Sequence, residues 1–386
     1  MTEPLRLFLI AGEASGDILG ANLMRAVKTT RPDTMFFGIG GRQMEAEGLK
    51  SIFPMEELSV MGIAEVLPRL FQILSRIRQT ARDVLSIRPD ALITIDSPDF
   101  CFRVVKKVKA KSKTIPCIHY VAPSVWAWRP GRAKKVAQFL DHVLCLLPFE
   151  PPYFEEHNLP ATFVGHPIVE RIEKRGDGSR FRTRHGLTTD QPILCMLPGS
   201  RMSELTRLLE KFSETADIVL RRRHSAVIVI PTLPHLKPHI DTFFRGRGIN
   251  PLVVTGEDEK FDVFAASTGA IAASGTVTLE LALADTPHII AYKLAPLSAW
   301  VARHLIKTPY VNLINILLRR RAVPELLLDD CEPGPMSREL LRLIEDKNAR
   351  STQMMDFREA LIKIGLGDPS TPSQKAAEVV FKVTGK

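Results

Sequence analysis

The chain has 386 residues, enough for two domains of ordinary size. It is 45% hydrophobic and 25% charged, which excludes a disordered or fibrous chain. The net charge of +9 favours an anionic partner but does not choose among phosphate, nucleic acid and an acidic membrane surface.

Short apolar runs alternate with longer amphipathic stretches, the βαβ rhythm of parallel sheets flanked by helices. Strands are expected at Leu5–Ala11, Met35–Ile39, Ala91–Ile95, Thr114–Val121, His142–Leu147 and Thr162–Val164, with helices such as Asp17–Lys28, Phe100–Ala110 and Gly131–Leu140 between them. Glu170–Arg184 is highly charged, carries Gly176 and Gly178, and reads as a linker. The rhythm restarts with strands at Ile193–Leu197, Ala226–Ile230, Leu252–Val254, Ala270–Ala273 and His288–Tyr292, separated by helices such as Glu204–Arg221 and Thr276–Ala284. After Pro333 only helical patterns remain. The expectation is an α/β chain of two tandem Rossmann-like, doubly wound domains, with ligands at the strands' carboxyl ends in an interdomain cleft.

Five separated cysteines, none in a CxxC pair, argue against disulfides or zinc and fit a reducing cytoplasm. Glu3, Glu13 and Asp17 bracket the first apolar run and make a poor secretory signal. No apolar run reaches the ~20 residues of a spanning helix, so membrane contact is expected to be peripheral.

Four loops carry residues suited to chemistry. Gly12-Glu13-Ala14-Ser15-Gly16-Asp17 lies between a strand and a helix, without the GxGxxG spacing of a dinucleotide site. Its two carboxylates suit sugar hydroxyls better than phosphate. Ser15 or Asp17 could cap the helix, which leaves Glu13 without a structural role. Asp96 ends an apolar strand, a good placement for a general base, while Asp99 is either functional or the N-cap of the next helix. No acidic triplet accompanies them, so no metal and no cofactor is expected. His119 to Arg129 holds Trp126 and Trp128, which either stack on a sugar or anchor the loop. In the second half, Gly199-Ser200-Arg201 enters a helix whose N-terminus offers N–H groups and a guanidinium to an anion. Ser274-Gly275-Thr276 repeats that arrangement, and Glu280, further along the helix, stands at ribose distance. Two such loops in one half, one with a carboxylate, point to a nucleoside diphosphate.

With these residues assembled, the chain resembles the lipid-A-disaccharide synthase family, inverting glycosyltransferases of the GT-B fold. The resemblance rests on Gly12 to Asp17, Val60-Met61-Gly62, Ile95 to Phe100, His119 to Trp128 and Leu147-Pro148-Phe149-Glu150. It continues through Val164-Gly165-His166-Pro167, Leu197 to Arg201, Ala273 to Glu280, Tyr310 to Asn315 and Pro324-Glu325-Leu326-Leu327. One departure is Asp329-Asp330, where the family pattern has glutamine followed by an acid. The resemblance implies transfer from UDP-2,3-diacylglucosamine to 2,3-diacylglucosamine 1-phosphate (lipid X), giving a β-1,6-linked disaccharide 1-phosphate and UDP, without a metal.

By the same resemblance Asp96 is the general base and Asn315 an active-site residue. Glu13, Ser15, Gly16, Asp99, Ser124 and Trp126 lie about the acceptor and reaction centre, and Gly199, Ser200, Arg201, Ser274, Gly275, Thr276 and Glu280 hold UDP. Residues 1–167, joined by helices of about 350–386, would form the acceptor domain, and 168–349 the UDP domain. A homodimer exchanging the C-terminal helices is a further implication. Val60–Ile87, with Arg69, Arg76, Arg78 and Arg82, and the segment Leu317–Arg321 have the composition of basic amphipathic surfaces or of helices with a solvated charged side; the resemblance implies that such surfaces would dock on anionic lipid at the cytoplasmic face of the inner membrane. The rival readings are a UDP-sugar 2-epimerase of the same build and a nucleic-acid binder. The second lacks a recognised binding motif.

Overall fold

The computed structural model describes residues 3–58, 63–128, 131–294 and 308–386. The chain divides into two compact units, Met1–Pro167 with Gly367–Lys386, and Ile168–Leu366.

In the first unit, strands β1 (Arg6–Ala11), β2 (Met35–Ile39), β3 (Lys50–Ser51), β4 (Ala91–Ile95), β5 (Cys117–Tyr120), β6 (His142–Cys145) and β7 (Ala161–Phe163) form a wholly parallel sheet in the order β3-β2-β1-β4-β5-β6-β7. The central strands are buried along their whole length, because helices cover both faces and leave no solvent side for an alternating pattern. Helix Ala14–Thr30 shows why the amphipathic stretches become helices: Leu19, Leu23 and Val27 recur every fourth residue and are all buried, while Ile18, Arg25 and Thr29 face out. The core is completed from far along the chain by Ala376, Ala377, Val379 and Val380 of helix Pro372–Thr384.

The second unit repeats the plan. Strands β8 (Ile193–Leu197), β9 (Val227–Pro231), β10 (Leu252–Val254), β11 (Gly269–Ala272), β12 (His288–Tyr292) and β13 (Glu325–Leu327) are again all parallel, in the order β10-β9-β8-β11-β12-β13. In both sheets the strand order reverses beside the first strand, between β1 and β4 and between β8 and β11. A crevice opens at the carboxyl edge of such a point, and it is where ligands bind doubly wound sheets.

Two expectations need correction. The charged segment after Pro167 is folded rather than a linker. Gly178–His185 is a helix capped by the Asp177 carboxylate, with Phe181 fully buried, and Arg180 donates twice to Asp262 at 2.7 Å. Its charges knit it to the unit instead of solvating it. The C-terminal return also starts later than residue 350. Helix Lys347–Lys363 stays with the second unit, where Gln353 is 3% exposed and brackets His288, accepting from its N–H at 2.8 Å and donating to its carbonyl at 3.0 Å.

Candidate active site

At the carboxyl edge of the first sheet, three consecutive strand ends meet in register. Ala11 pairs with Ile95, and Ile95 with Tyr120, so Gly12, Asp96 and Val121 follow side by side. The Asp96 N–H donates to the Tyr120 carbonyl at 3.0 Å. Gly12 is required there, since a Cβ would sit 2.4 Å from Ser97 Oγ. The backbone is strained at this edge: φ is +51° at Asp96, +42° at Ser97 and +81° at Val121. Left-handed positions without glycine cost about 1–3 kcal/mol each and concentrate where a site needs them. The Asp96 carboxylate is half-buried, and Oδ1 accepts the Ser97 N–H at 2.9 Å.

The remaining residues of this edge divide clearly. Glu13 sits at the N-cap position of helix Ala14–Thr30 without capping it through its side chain, Ser15 is exposed in the first turn, and Gly16 is buried against Ala11 and Ile95. Asp17 does not cap its own helix. It is 5% exposed and takes the N–H groups of Gly41, Gln43 and Met44 at 2.8–3.0 Å, capping helix Arg42–Ala46. Asp99 is not an N-cap either: Ser97 holds that position in helix Pro98–Lys109, and the Asp99 side chain is 99% exposed in the first turn. His119 is a core residue, hydrogen-bonded to Thr94 at 2.8 Å, and burial drives its pKa down to about 3.

Of the tryptophan loop, Ser124 and Trp128 are exposed and Trp126 half-buried; Arg129 lies outside the described residues. Trp126 is anchored from below: its Nε1 donates to Glu150 at 3.1 Å and its ring meets Phe149 edge-on. Glu150 is 4% exposed and also takes the N–H groups of Leu146 and Leu147. Burial pushes its carboxyl up to about 7, against the pull of those three donors. Sequence reasoning missed Glu150 as a site residue. Its signal was the acid within the matching Leu147 to Glu150 stretch.

At the carboxyl edge of the second sheet, a cavity of about 430 Å³ is lined from four loops, among them Gly199, Ser200 and Arg201 after β8 and Ser274, Gly275 and Thr276 after β11. The chain's two expected UDP loops therefore flank one switch point. The details differ from expectation. The N–H groups of Ser200 and Arg201 are not open: Glu204 Oε2 accepts both, at 3.0 and 3.3 Å. Gly199 adopts φ +117°, and a Cβ there would lie 2.5 Å from Glu204. A glutamate three residues past an N-cap is a legible signal for this arrangement. The Arg201 guanidinium remains largely exposed at the rim. The helix after Thr276 has seven residues, so the small loop, not a long dipole, is what faces an anion.

Glu280 lines the same cavity and is held by two cations that the sequence did not suggest. Arg171 donates to Oε1 at 3.1 Å, and Lys260 lies 3.3 Å from Oε1 and 3.1 Å from Oε2. Asn315, by contrast, has no open face. It is fully buried, donates to Val323 and Glu325 at 2.8 and 2.7 Å, and accepts the N–H groups of Ala322 and Val323. All four of its hydrogen-bonding positions are used within the protein, so it clamps its own loop.

Matches with known proteins decide the family. A model of the lipid-A-disaccharide synthetase family matches residues 7–379. A lipid-A-disaccharide synthase of Rhodospirillum centenum is 49% identical over 100% of this chain and 96% of its own. The chain belongs to the lipid-A-disaccharide synthetase family. It is a glycosyltransferase, and the likeness extends to the synthase of Pseudomonas syringae pv. tomato, 41% identical over 100% of this chain and 99% of that one. Solved structures share the fold alone. A UDP-GlcNAc 2-epimerase of Neisseria meningitidis bound to UDP-GlcNAc superposes with TM-score 0.67 at 11% identity, covering 98% of this chain and 100% of that one. MurG of Acinetobacter baumannii gives 0.55 at 12%, over 98% and 100%.

Other expected features fall unevenly. Val60-Met61-Gly62 and the Arg69 side chain lie outside the described residues. Arg78 and Arg82 are exposed, but Arg76 is not available to lipid: it pairs with Glu57 at 2.7 Å over the Phe53 ring. Leu317 and Leu318 are core residues, and Arg320 is held by Asp356 and Glu359 at 2.6 Å each. Among the described residues no helix is long and apolar enough to cross a membrane, and no cluster of acids, histidines or cysteines is placed to hold a metal.

Proposed function

We propose that the chain joins UDP-2,3-diacylglucosamine to the 6-hydroxyl of lipid X, releasing UDP and a β-1,6-linked disaccharide 1-phosphate. The observation that supports this reading is that each sheet presents a site at its own switch point: Asp96 on a left-handed backbone in the first unit, and a cavity of about 430 Å³ in the second. In the reaction the acceptor oxygen attacks the donor's anomeric carbon from the face opposite UDP. Asp96 takes the hydroxyl proton as the new C–O bond forms. The old anomeric C–O bond breaks, and its electron pair leaves with UDP. Negative charge grows on the diphosphate, so the Arg201 guanidinium and the Ser274-Gly275-Thr276 loop bind the transition state more tightly than the ground state. Glu13, Ser15, Gly16, Asp99, Ser124 and Trp126 surround the acceptor in this reading. Glu280 takes the ribose, and Asn315 acts only through the loop it clamps.

The acyl chains and phosphate of such substrates place the enzyme at an anionic membrane surface on the cytoplasmic side. Helix Ile63–Ile87 is the surface we assign to it, with Phe71 86% exposed beside Arg78 and Arg82. A homodimer exchanging tails would place the partner's copy of helix Pro372–Thr384 on the same apolar surface of the first unit. An epimerase shares only the fold with this chain. Mass spectrometry of products from purified enzyme with UDP-diacylglucosamine and lipid X separates the two. A coupled disaccharide 1-phosphate with free UDP supports the transferase, and an epimer still joined to UDP overturns it.

A further inference from the structure

Glu280 does not stand alone in the second unit's cavity. Arg171, from the segment Pro167–Lys174, reaches Glu280 with one nitrogen at 3.1 Å and Glu257 with the other at 3.3 Å. Lys260 does the same from helix Glu257–Ala266, at 3.1 Å from Glu280 and 3.2 Å from Glu257. The four charges alternate around a square with no net charge. Its floor is the buried Phe261 ring, 5.7 Å from the Arg171 guanidinium carbon and 5.0 Å from Lys260 Nζ. Glu257, Lys260 and Glu280 line the cavity.

This arrangement does two things that a lone carboxylate could not. It cancels the Glu280 charge where a diphosphate must approach, so the acid need not repel the ligand it helps to bind. It also fixes the carboxylate's direction. A carboxylate has about four acceptor positions. Arg171 and Lys260 occupy Oε1, and Lys260 takes one position on Oε2, which leaves an acceptor for a hydroxyl.

We propose that Arg171 and Lys260 are positioning residues that make the cavity select a ribonucleotide, by holding Glu280 to accept a ribose hydroxyl. This rests on the reading of the cavity as the UDP site. Neither cation touches the reacting atoms.

The test is calorimetric titration of the full chain with UDP and with uridine diphosphates lacking the 2′- or the 3′-hydroxyl. The parent should bind UDP about 10- to 100-fold more tightly than at least one deoxy analogue, the range for a hydrogen bond to a charged group. Arg171→Gln and Lys260→Gln each uncover one carboxylate charge and so should weaken all three nucleotides somewhat, but they should weaken UDP much more than that deoxy analogue, so the ratio collapses towards one. Arg171→Lys should restore part of it. A merely structural role would weaken every nucleotide equally and keep the ratio, which would overturn the proposal. Equal affinity of the parent for all three nucleotides would overturn it too, with the UDP site intact. A parent that binds no UDP would remove the site reading itself.

Discussion

Replacing Asp96 by Asn separates the chemistry of this carboxylate from its structural part. The side-chain oxygen that accepts the Ser97 N–H at 2.9 Å survives in the amide. Asn also tolerates the left-handed backbone at φ +51°, where Ala would add about 1–2 kcal/mol of strain. The unfolding midpoint should therefore stay within about 2 °C of the parent, the shift expected from a change below roughly 0.5 kcal/mol in a chain of this size. What is lost is the proton acceptor. A general base contributes about 10²- to 10⁴-fold, so the barrier should rise by about 3–5 kcal/mol. The assay is UDP release at saturating substrates, with UDP affinity measured alongside. Unchanged UDP binding and turnover down at least a hundredfold is the expected pair. Turnover within tenfold of the parent would refute the assignment of Asp96 as base.

Three other outcomes are expected. Arg201→Ala should weaken UDP binding about 10- to 100-fold, since a charge-assisted contact is lost, and an unchanged titration would contradict the phosphate role. Gly12→Ala should push Ser97 and with it Asp96, at about 1–3 kcal/mol of overpacking. Turnover should fall while UDP binding persists, Ser97→Gly in the same chain should restore much of the loss, and a fully active single variant would show that the contact is slack. Glu150 should leave a mark on stability against pH. Its carboxyl, raised from 4.5 to about 7 by burial, keeps a proton in the folded state that the unfolded chain has released between those values. Its contribution to stability therefore falls as pH rises through that window, by about 3 kcal/mol above it. Urea unfolding of parent and Glu150→Gln from pH 4 to 8 should show a slope in the parent that is missing from the variant, and parallel curves would remove the buried acid from the account.

Much of the first layer of this molecule is readable from residues alone. The strands Met35–Ile39, Ala91–Ile95, Ile193–Leu197, Leu252–Val254 and His288–Tyr292 end where their apolar runs end, and in the central ones, Ala91–Ile95 and Ile193–Leu197, every residue is buried because helices cover both faces. The loops after β1, β4, β8 and β11 could be picked out because each carries small or acidic residues straight after such a run. What the chain does not disclose is which polar partner each side chain finds across the fold. Asp17 looks like a cap for its own helix and serves one whose first residue is 25 positions on. Glu204 takes the N–H groups that looked open to phosphate, and the charges of 170–184 look solvated until Asp262, about 80 residues later, meets Arg180. Asn315, an active-site residue by the family resemblance, is spent on its own loop. Of the short edge strands, β10 and, within a residue, β7 stand out as apolar runs, whereas β3, the polar pair Lys50–Ser51, and β13, which opens on Glu325, do not.

The helix Pro372–Thr384 belongs to the core of the first unit, yet it is made after the whole of the second. At about 5–20 residues per second, a ribosome needs roughly 10 to 40 s to traverse Ile168–Leu366. For that interval the nascent sheet must wait without Ala376, Ala377, Val379 and Val380, with an apolar face uncovered in the cell. The order of synthesis thus lets the second unit close its core before the first can complete its own.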